Sequence, residues 1–247
     1  MLCLCGLLGV TITGDAFNLF VFLEISSLSS YVLIAMGNDR RALTAAYQYL
    51  VLGTIGATFI VIGIGLLYAE TGTLNMVDLA KRLADQPLSR TIGAAFGFLV
   101  VGISLKLALF PLHLWLPNAY TYAPSVVSAF LAATATKVAV YVLLRFLFTV
   151  FDVELSFGFM PLDTILFVLA VIAMFAASAV AIFQTDLKRM LAYSSVAQIG
   201  YMILGISFAN VNGLAAGILH LFNHALIKGG MFLALGCIFY RLATVNI

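Results

Sequence analysis

The stretch FNLFVFLEISSLSSYVLIAM, residues 17–36, determines the class of fold. It is about as long as a helix that crosses the hydrocarbon core of a bilayer, which needs roughly 20 apolar residues. Its single ionisable group, Glu24, lies near the middle of the stretch. Because a charge is costly at that depth, a carboxylate there indicates a functional site inside a membrane protein.

The composition of the whole chain also indicates a membrane protein. Of the 247 residues, 64% are hydrophobic and 9% are charged, and the mean hydropathy is +1.15. A soluble domain carries about 25% charged residues, so this chain lacks the polar groups to cover a surface in water. The net charge of +2 gives no reason to expect a nucleic-acid partner. The cysteines Cys3, Cys5 and Cys237 form no metal-ligand spacing, and we interpret them as free thiols.

Seven apolar windows are long enough to cross a bilayer, and an apolar partial segment at residues 1–13 precedes them. The windows cover residues 16–37, 45–69, 91–117, 124–150, 161–184, 190–209 and 213–241. Only a helix satisfies its own backbone over such a length in lipid. We therefore predict an all-α, polytopic transmembrane helical bundle, forming a single domain over residues 1–247, in the inner (plasma) membrane of a cell.

The connections between the windows are short, at residues 37–41, 151–161, 184–189 and 209–213. The exception is 69–90, in which MVDLAKRLAD (76–85) has the pattern of an amphipathic helix lying on the membrane surface. Alternating the spans divides the loop cations between two faces. We call the first the Arg40 face, with Arg40, Arg41, Lys188, Arg189 and Arg241. We call the second the Lys81 face, with Lys81, Arg82 and Arg90 and with Arg145 near it. The excess of basic residues predicts that the Arg40 face is cytoplasmic.

Three lysines also lie inside the predicted spans, at Lys106, Lys137 and Lys228. A charged residue at a helix centre costs about 2.5–3.5 kcal/mol on insertion scales, so we expect these groups and Glu24 to face one another or water inside the bundle. One interpretation is a static buried ion pair that fixes helix packing. The other is a proton relay, which is favoured because one carboxylate cannot neutralise three lysines.

The third span contains a predicted helix break. It reads FLVVGISLKLALFPLHLWLPNAY (98–120), in which Lys106 is followed by Pro111, His113 and Pro117. Proline removes a backbone donor and breaks a helix. In a membrane, such a break survives only where protein or a water-filled cavity satisfies the freed groups, and broken helices are typical of transporter ion sites.

The seventh span carries a stripe of titratable residues. His220, His224 and Lys228 are spaced i, i+4 and i+8, which places them on one helix face. Because histidine titrates near neutrality, such a stripe is suited to passing protons. The two histidines share a face and cannot bind both sides of a haem. We predict no cofactor, no bound metal and no catalytic site of the chain's own.

Milder polar side chains surround these charges. We interpret most of them as helix-packing residues, with some holding water between the charged groups. They are Asn18, Ser26, Ser27, Tyr47, Gln48, Thr54, Thr58, Thr134, Thr136, Tyr141, Ser194, Ser195, Gln198 and Tyr201.

Four stretches resemble one family, the antiporter-like membrane subunits. This family comprises large subunits of Mrp-type Na⁺/H⁺ antiporters, the L, M and N subunits of NADH-quinone oxidoreductase (complex I), and subunits of membrane-bound hydrogenases. The stretches are TGDAFNLFVFLEISSLSSYVLIA, LKLALFPLHLWLPNAY with APSVVSAFLAATATKVAVYVLLR, DLKRMLAYSSVAQIGYMILG and HLFNHALIKGGMFLALG. The first of them most resembles the Mrp D subunit and its hydrogenase relatives.

The resemblance implies roles for the charged residues. Glu24 matches the glutamate of the family's fifth helix, Lys106 the lysine of its broken seventh helix and Lys137 the lysine of its eighth. His220, His224 and Lys228 match the relay of the eleventh helix. The family is built from two inverted repeats, helices 4–8 and 9–13. By that likeness residues 1–150 are the first repeat and 161–247 an incomplete second one, helices 9–11, so that the chain is expected to be a fragment.

The resemblance and the charges together predict a proton-conducting subunit of a multi-subunit cation/proton antiporter of the Mrp D type. Glu24 is expected to pair with Lys106, Lys137 to be the central relay, and His220, His224 and Lys228 to pass the proton onward. The expected partners are other membrane subunits, the lipid bilayer, protons and, in the antiporters, Na⁺. Two alternatives stay open: a proton-pumping subunit of complex I or of a membrane-bound hydrogenase, and a structural scaffold with static ion pairs.

Overall fold

The structure, a computed structural model, describes residues 1–158 and 161–242, and these residues are almost entirely helical. A π-helical turn at Phe146–Val150 continues one helix, and the bridge between Asp15 and Asn75 is the single β-type pairing in the described ranges. The α-helices are Leu2–Ile12 (α1), Ala16–Ala35 (α2), Arg41–Thr71 (α3), Met76–Ala84 (α4), Arg90–Leu107 (α5), Trp115–Tyr122 (α6), Ser125–Arg145 (α7), Asp152–Gly158 (α8), Leu162–Ile182 (α9), Leu187–Ser207 (α10) and Val211–Leu242 (α11).

Seven helices of the described part are long and apolar enough to cross a membrane. They are α2, α3, α5, α7 with its π-helical turn, α9, α10 and α11. The predicted all-α transmembrane bundle is therefore confirmed. Six of the seven helices coincide with a predicted window to within a few residues, whereas α5 ends at Leu107 and the third window was predicted to continue to residue 117. Helix α3 also begins before its window, at Arg41, where the Asp39 side chain accepts a hydrogen bond from the Arg41 backbone at 2.9 Å.

One predicted connection, residues 151–161, contains a helix that the apolar windows did not show. Helix α8 begins after Phe151, which is buried, and its Ser156 hydroxyl donates to the Leu147 carbonyl at 2.8 Å. Asp152 and Glu154 occupy its first turn, where negative charge favours a helix. Residues 159 and 160 of the same connection lie outside the described ranges.

The predicted amphipathic helix is present as α4, but its apolar face packs against protein. Met76, Leu79 and Leu83 are buried, and α4 contacts the π-helical turn that ends α7. The Asn75 side chain caps its first turn, at 3.0 Å from the Val77 nitrogen. On its exposed face, a hydrogen bond from Arg82 holds the pKa of the Asp78 carboxyl below its usual value. The helix therefore packs on the bundle through its apolar face, and its position at the membrane surface stays a prediction.

Hydrogen bonds join the loops and helix ends that lie on the Lys81 face. The backbone of Ala16 donates to the Leu74 carbonyl at 2.8 Å, which joins the α1–α2 linker to the loop before α4. The Arg145 guanidinium donates to the Thr13 carbonyl at 2.6 Å, beyond the end of α1. Carbonyl groups at a helix end need such partners, and this cation supplies one from the last turn of α7.

Helices α3 and α5 approach each other closely through two glycines. A Cβ added at Gly102 would lie 2.7 Å from the Gly56 carbonyl oxygen, a separation that real side chains do not adopt. Small residues of this kind let membrane helices pack backbone to backbone. The contact holds α5 in place one turn before Lys106.

Candidate functional site

The centre of the site is the interruption between α5 and α6. Helix α5 ends at Leu107, Ala108 adopts a left-handed conformation with φ of 60°, and the peptide before Pro111 is cis. The Trp115 indole N–H donates to the Leu105 carbonyl at 3.0 Å, so a side chain of α6 satisfies a carbonyl freed by the break. The sequence places Lys106 in the last turn before this break.

Lys106 forms an ion pair with Glu24. Its ammonium lies 2.7 Å from Glu24 Oε1 and also donates to the Ser27 hydroxyl at 2.8 Å. Glu24 and Ser27 are three residues apart on α2 and therefore share a helix face. The Lys106 side chain is 5% exposed and the Glu24 side chain 23%. Within this pair, the lysine is therefore enclosed by protein, whereas the carboxylate is partly exposed at the protein surface.

A buried aromatic cluster packs beside the break. The Tyr49 and Trp115 rings stack with centroids 4.0 Å apart, and the Tyr31 ring meets Tyr49 edge to face at 4.7 Å. All three residues are buried. The cluster joins α2, α3 and α6 and fixes where α6 begins relative to α2, which carries Glu24.

Lys137 lies buried on α7 with neutral partners. Its ammonium contacts the Ala132 carbonyl and lies 3.3 Å from the Thr136 hydroxyl. One residue before Ala132, the Leu131 carbonyl accepts a hydrogen bond of 3.1 Å from the Tyr120 hydroxyl of α6. The second half of the broken helix therefore reaches the turn of α7 that holds Lys137.

Lys228 lies on α11 and is also held by neutral groups. Its ammonium donates to the Leu191 carbonyl and the Ser194 hydroxyl of α10, at 2.9 Å each, and the residue is 2% exposed. Among the described residues, no carboxylate lies within 4.0 Å of the Lys137 or Lys228 ammonium. The structure thus leaves both Lys137 and Lys228 without an acidic partner.

The two histidines continue the stripe on α11. The His220 and His224 rings are nearly parallel with centroids 6.1 Å apart, and the Tyr201 ring of α10 packs on His220 at 5.8 Å. His224 is 2% exposed, and neither of its ring nitrogens has a hydrogen-bond partner in the protein. Buried polar atoms are nearly always satisfied, so this imidazole is an unusual feature of the described residues.

The proline and histidine residues of the break do not all lie where the sequence suggested. Pro111 and His113 are within the interruption, where His113 is buried and stacks on Phe110 at 5.1 Å. Pro117, in contrast, lies in the first turn of α6, where a missing N–H has no helical partner to lose. Helix α6 follows His113 and separates it from the Arg40 face.

We use the term buried row for Glu24, Lys106, Lys137, Lys228, His224 and His220. The structure joins Glu24 to Lys106 directly, whereas Lys137 and Lys228 each belong to a separate hydrogen-bond group on the packed helices α7, α10 and α11. The sequence did not single out Tyr120 as a residue of the site. A tyrosine near the end of an apolar span is ordinarily an interfacial anchor, but here its hydroxyl contacts the turn of α7 that holds Lys137.

This arrangement is that of a polytopic membrane protein with ionisable groups along the inside of a helical bundle. The chain belongs to the family described as NADH:quinone oxidoreductase/Mrp antiporter, TM, whose model matches residues 13–246. The predicted resemblance is therefore confirmed. With seven apolar helices among the described residues, the chain is a multi-pass protein, as expected for the plasma membrane.

Two curated relatives differ in the complex that their names indicate. The chain is 50% identical to the N subunit of NADH-quinone oxidoreductase of Desulforudis audaxviator (strain MP104C), over 96% of the chain and 46% of that relative. It is 32% identical to the D subunit of the Na(+)/H(+) antiporter of Alkalihalophilus pseudofirmus, over 94% of the chain and 46% of the relative. The chain thus spans about half the length of the curated relatives it matches.

Two solved structures share the fold. A chain of the membrane-bound sulfane sulfur reductase, an archaeal respiratory membrane complex, superimposes with a TM-score of 0.93 at 36% identity, covering 99% of this chain and 50% of the other. A chain of the Mrp complex from Dietzia sp. DQ12-45-1b gives a TM-score of 0.86 at 30% identity, covering 96% and 44%.

Proposed function

We propose that the chain is the proton-conducting part of an antiporter-like subunit, and that protons move along the buried row. The observation that carries this proposal is the Glu24–Lys106 ion pair beside the helix break. Opening and closing such a pair changes the electrostatic field on the next ionisable group. The break provides a place where the backbone around Lys106 differs from a rigid helix.

The lysines beyond the pair suit the next steps of this transfer. Lys137 and Lys228 are buried and donate to neutral oxygens, so no fixed negative charge holds either of them as an ammonium ion. An amine that alternates between its charged and neutral forms can accept a proton and pass it on. His224 and His220 extend the row along α11.

The test is proton transport by the complete complex in membrane vesicles, followed with a pH-sensitive dye. Lys106→Ala and Glu24→Ala are each expected to abolish transport while the complex still assembles on native gels. Lys81→Ala is the matched control, because Lys81 is an exposed lysine on α4. Normal transport in both buried variants would rule out a relay through this pair and favour the structural scaffold.

We further propose that the subunit works within a hetero-oligomeric membrane complex, with the Mrp antiporter as the main candidate. The likeness to the D subunit of an Na(+)/H(+) antiporter and to a chain of the Mrp complex supports this. The second candidate is a redox-driven proton pump, and the 50% identity to the N subunit of an NADH-quinone oxidoreductase favours it. Transport measurements in membrane vesicles distinguish the two candidates. An Na⁺ gradient drives proton movement in an Mrp antiporter, whereas an electron donor drives it in a redox-driven pump.

We also propose that residues 1–150 form the first of two inverted repeats and residues 161–247 part of the second. The supporting feature is the α5–α6 interruption, which stands where the family's first repeat has its broken helix. Superposing α9–α11 on α1–α3 after inversion through the membrane plane tests it. The repeats are inverted if a tag after α2 and a tag after α10 are accessible from opposite faces of the membrane, and access from the same face would contradict the proposal.

A further inference from the structure

A polar cavity of about 610 Å³ opens between the loops of the Arg40 face. The α2–α3, α6–α7 and α9–α10 connections and the end of α11 all contribute to its wall. Its titratable and charged lining groups come from every one of the three connections. They are Asp39, Arg41, Tyr122, Asp186, Lys188 and Arg189.

Lys188 differs from the other cations of this face. It was counted as a loop cation at the sequence level, but it is 7% exposed and lies in the first turn of α10. Its ammonium donates to the Ala123 carbonyl, at the end of α6, at 3.0 Å. A cation is disfavoured at a helix N-terminus and favoured at a C-terminus, so its position is set by α6 and not by its own helix.

Two chains of contacts lead inward from Lys188. Along α10, the next turn carries Leu191 and Ser194, whose oxygens hold the Lys228 ammonium. Along α6, one turn before Ala123, Tyr120 donates to the turn of α7 that holds Lys137. Lys188 is therefore the buried cation that stands between the cavity and both lysines without acidic partners.

We infer that the cavity is the aqueous mouth of the proton path on the Arg40 face and that Lys188 is its first protonatable group. This inference rests on the proposed function. A hydronium ion in the cavity gives its proton to the neutral Lys188 amine and becomes water. The resulting ammonium returns to the amine when the proton moves to the next basic group inside, the neutral amine of Lys228 or Lys137. The wall is of mixed charge, because the Asp39 and Asp186 carboxylates stand among its cations.

The decisive variant is Lys188→Arg. Arginine keeps the positive charge and the hydrogen bond to the Ala123 carbonyl, but it does not release its proton in proteins. If Lys188 loads protons, transport by the complete complex falls at least about tenfold, as expected on losing a proton-transfer group, while assembly is unchanged. If Lys188 only holds the end of α6, Lys188→Arg transports normally and Lys188→Met alone is impaired, and the inference is wrong.

A second experiment tests the cavity independently. In a background with Cys5→Ser and Cys237→Ser, Thr185→Cys places a thiol on the cavity wall and Arg40→Cys places one on the same face outside it. A cationic, membrane-impermeant methanethiosulfonate reagent is expected to slow transport through the first variant and not the second. Equal effects in the two variants would contradict an aqueous mouth at this place.

The two levels of proposal fail differently. If Lys106→Ala abolishes transport and Lys188→Arg does not change it, proton transfer along the buried row is supported and only the role of Lys188 in the mouth is rejected. If Lys106→Ala transports normally, the proposed function itself is wrong.

Discussion

The ammonium of Lys106 lies 2.7 Å from the Glu24 carboxylate, although 82 residues separate them along the chain. The two groups come from different helices, and Ser27 supplies the second acceptor for the same ammonium. In a bundle with this few charged residues, the contact fixes the position of α2 relative to the end of α5.

Breaking this pair from one side should destabilise the protein and stop transport. Glu24→Gln leaves a buried ammonium without its counter-charge, which costs about 3–5 kcal/mol in comparable buried pairs. We expect a lower thermal midpoint for the complex and loss of proton transport. The midpoint is measured by the temperature at which the subunit aggregates in detergent.

The double variant Glu24→Gln with Lys106→Met separates stability from function. Removing both charges takes away the unpaired ammonium, so the thermal midpoint should recover by more than half. Transport should remain abolished, because the proton-carrying groups are gone. Recovery of transport together with stability would mean that the pair serves packing only.

Ser194 is expected to matter for transport through its contact with Lys228. Ser194→Ala removes one of two acceptors of that ammonium, which in a buried hydrogen bond costs about 1–3 kcal/mol. We expect a several-fold lower rate of proton transport in vesicles. Ser207→Ala is the matched control, since Ser207 is a buried serine of the same helix that bonds only its own backbone, at 2.8 Å from the Leu204 carbonyl. A similar loss in both variants would assign the effect to helix packing.

The number of spans and the Glu24–Lys106 pair were predictable from the sequence. The bilayer thickness fixes the length of each apolar window. Glu24 is the one carboxylate near the middle of a predicted span, so a buried lysine was its expected partner, and the family resemblance selected Lys106 among the three. The serines that hold these lysines were not predictable. Ser27 and Ser194 resemble the neighbouring Ser26 and Ser195, and only the rotation of each helix in the bundle decides which hydroxyl reaches an ammonium.

Lys188 and Pro117 show where the sequence misleads. Lys188 lies at the edge of an apolar window, where burial depends on whether another helix end packs there, and α6 does so. Pro117 was assigned to the helix break, but it lies in the first turn of α6, where a proline costs no hydrogen bond. Both outcomes depend on where α6 begins, which no local pattern indicates.

The break should depend on the Trp115 indole. Trp115→Phe keeps an aromatic ring against Tyr49 but leaves the Leu105 carbonyl with only the Ala108 N–H, at 3.3 Å. Losing the indole hydrogen bond costs about 0.5–1.5 kcal/mol. We expect a lower thermal midpoint and slower proton transport, because the turn that carries Lys106 loses its support. Phe98→Leu on the neighbouring helix α5 is the comparison, since it changes an aromatic contact with Phe59 far from the break. If both variants transport like the parent protein, the indole does not hold the break.

The close approach of α3 and α5 should depend on Gly102. Gly102→Ala would place a methyl group 2.7 Å from the Gly56 carbonyl oxygen and 2.8 Å from an Ile60 carbon, so the helices must separate. Such overpacking costs about 1–3 kcal/mol, and the shift would also move Lys106 relative to Glu24. We expect less assembled complex on native gels and slower transport by what remains. Gly97→Ala on the same helix is the control, because nothing lies within 4 Å of a Cβ there. Alanine at that position should be tolerated, and equal damage from the two substitutions would show that loss of glycine flexibility, and not the contact with α3, is the cause.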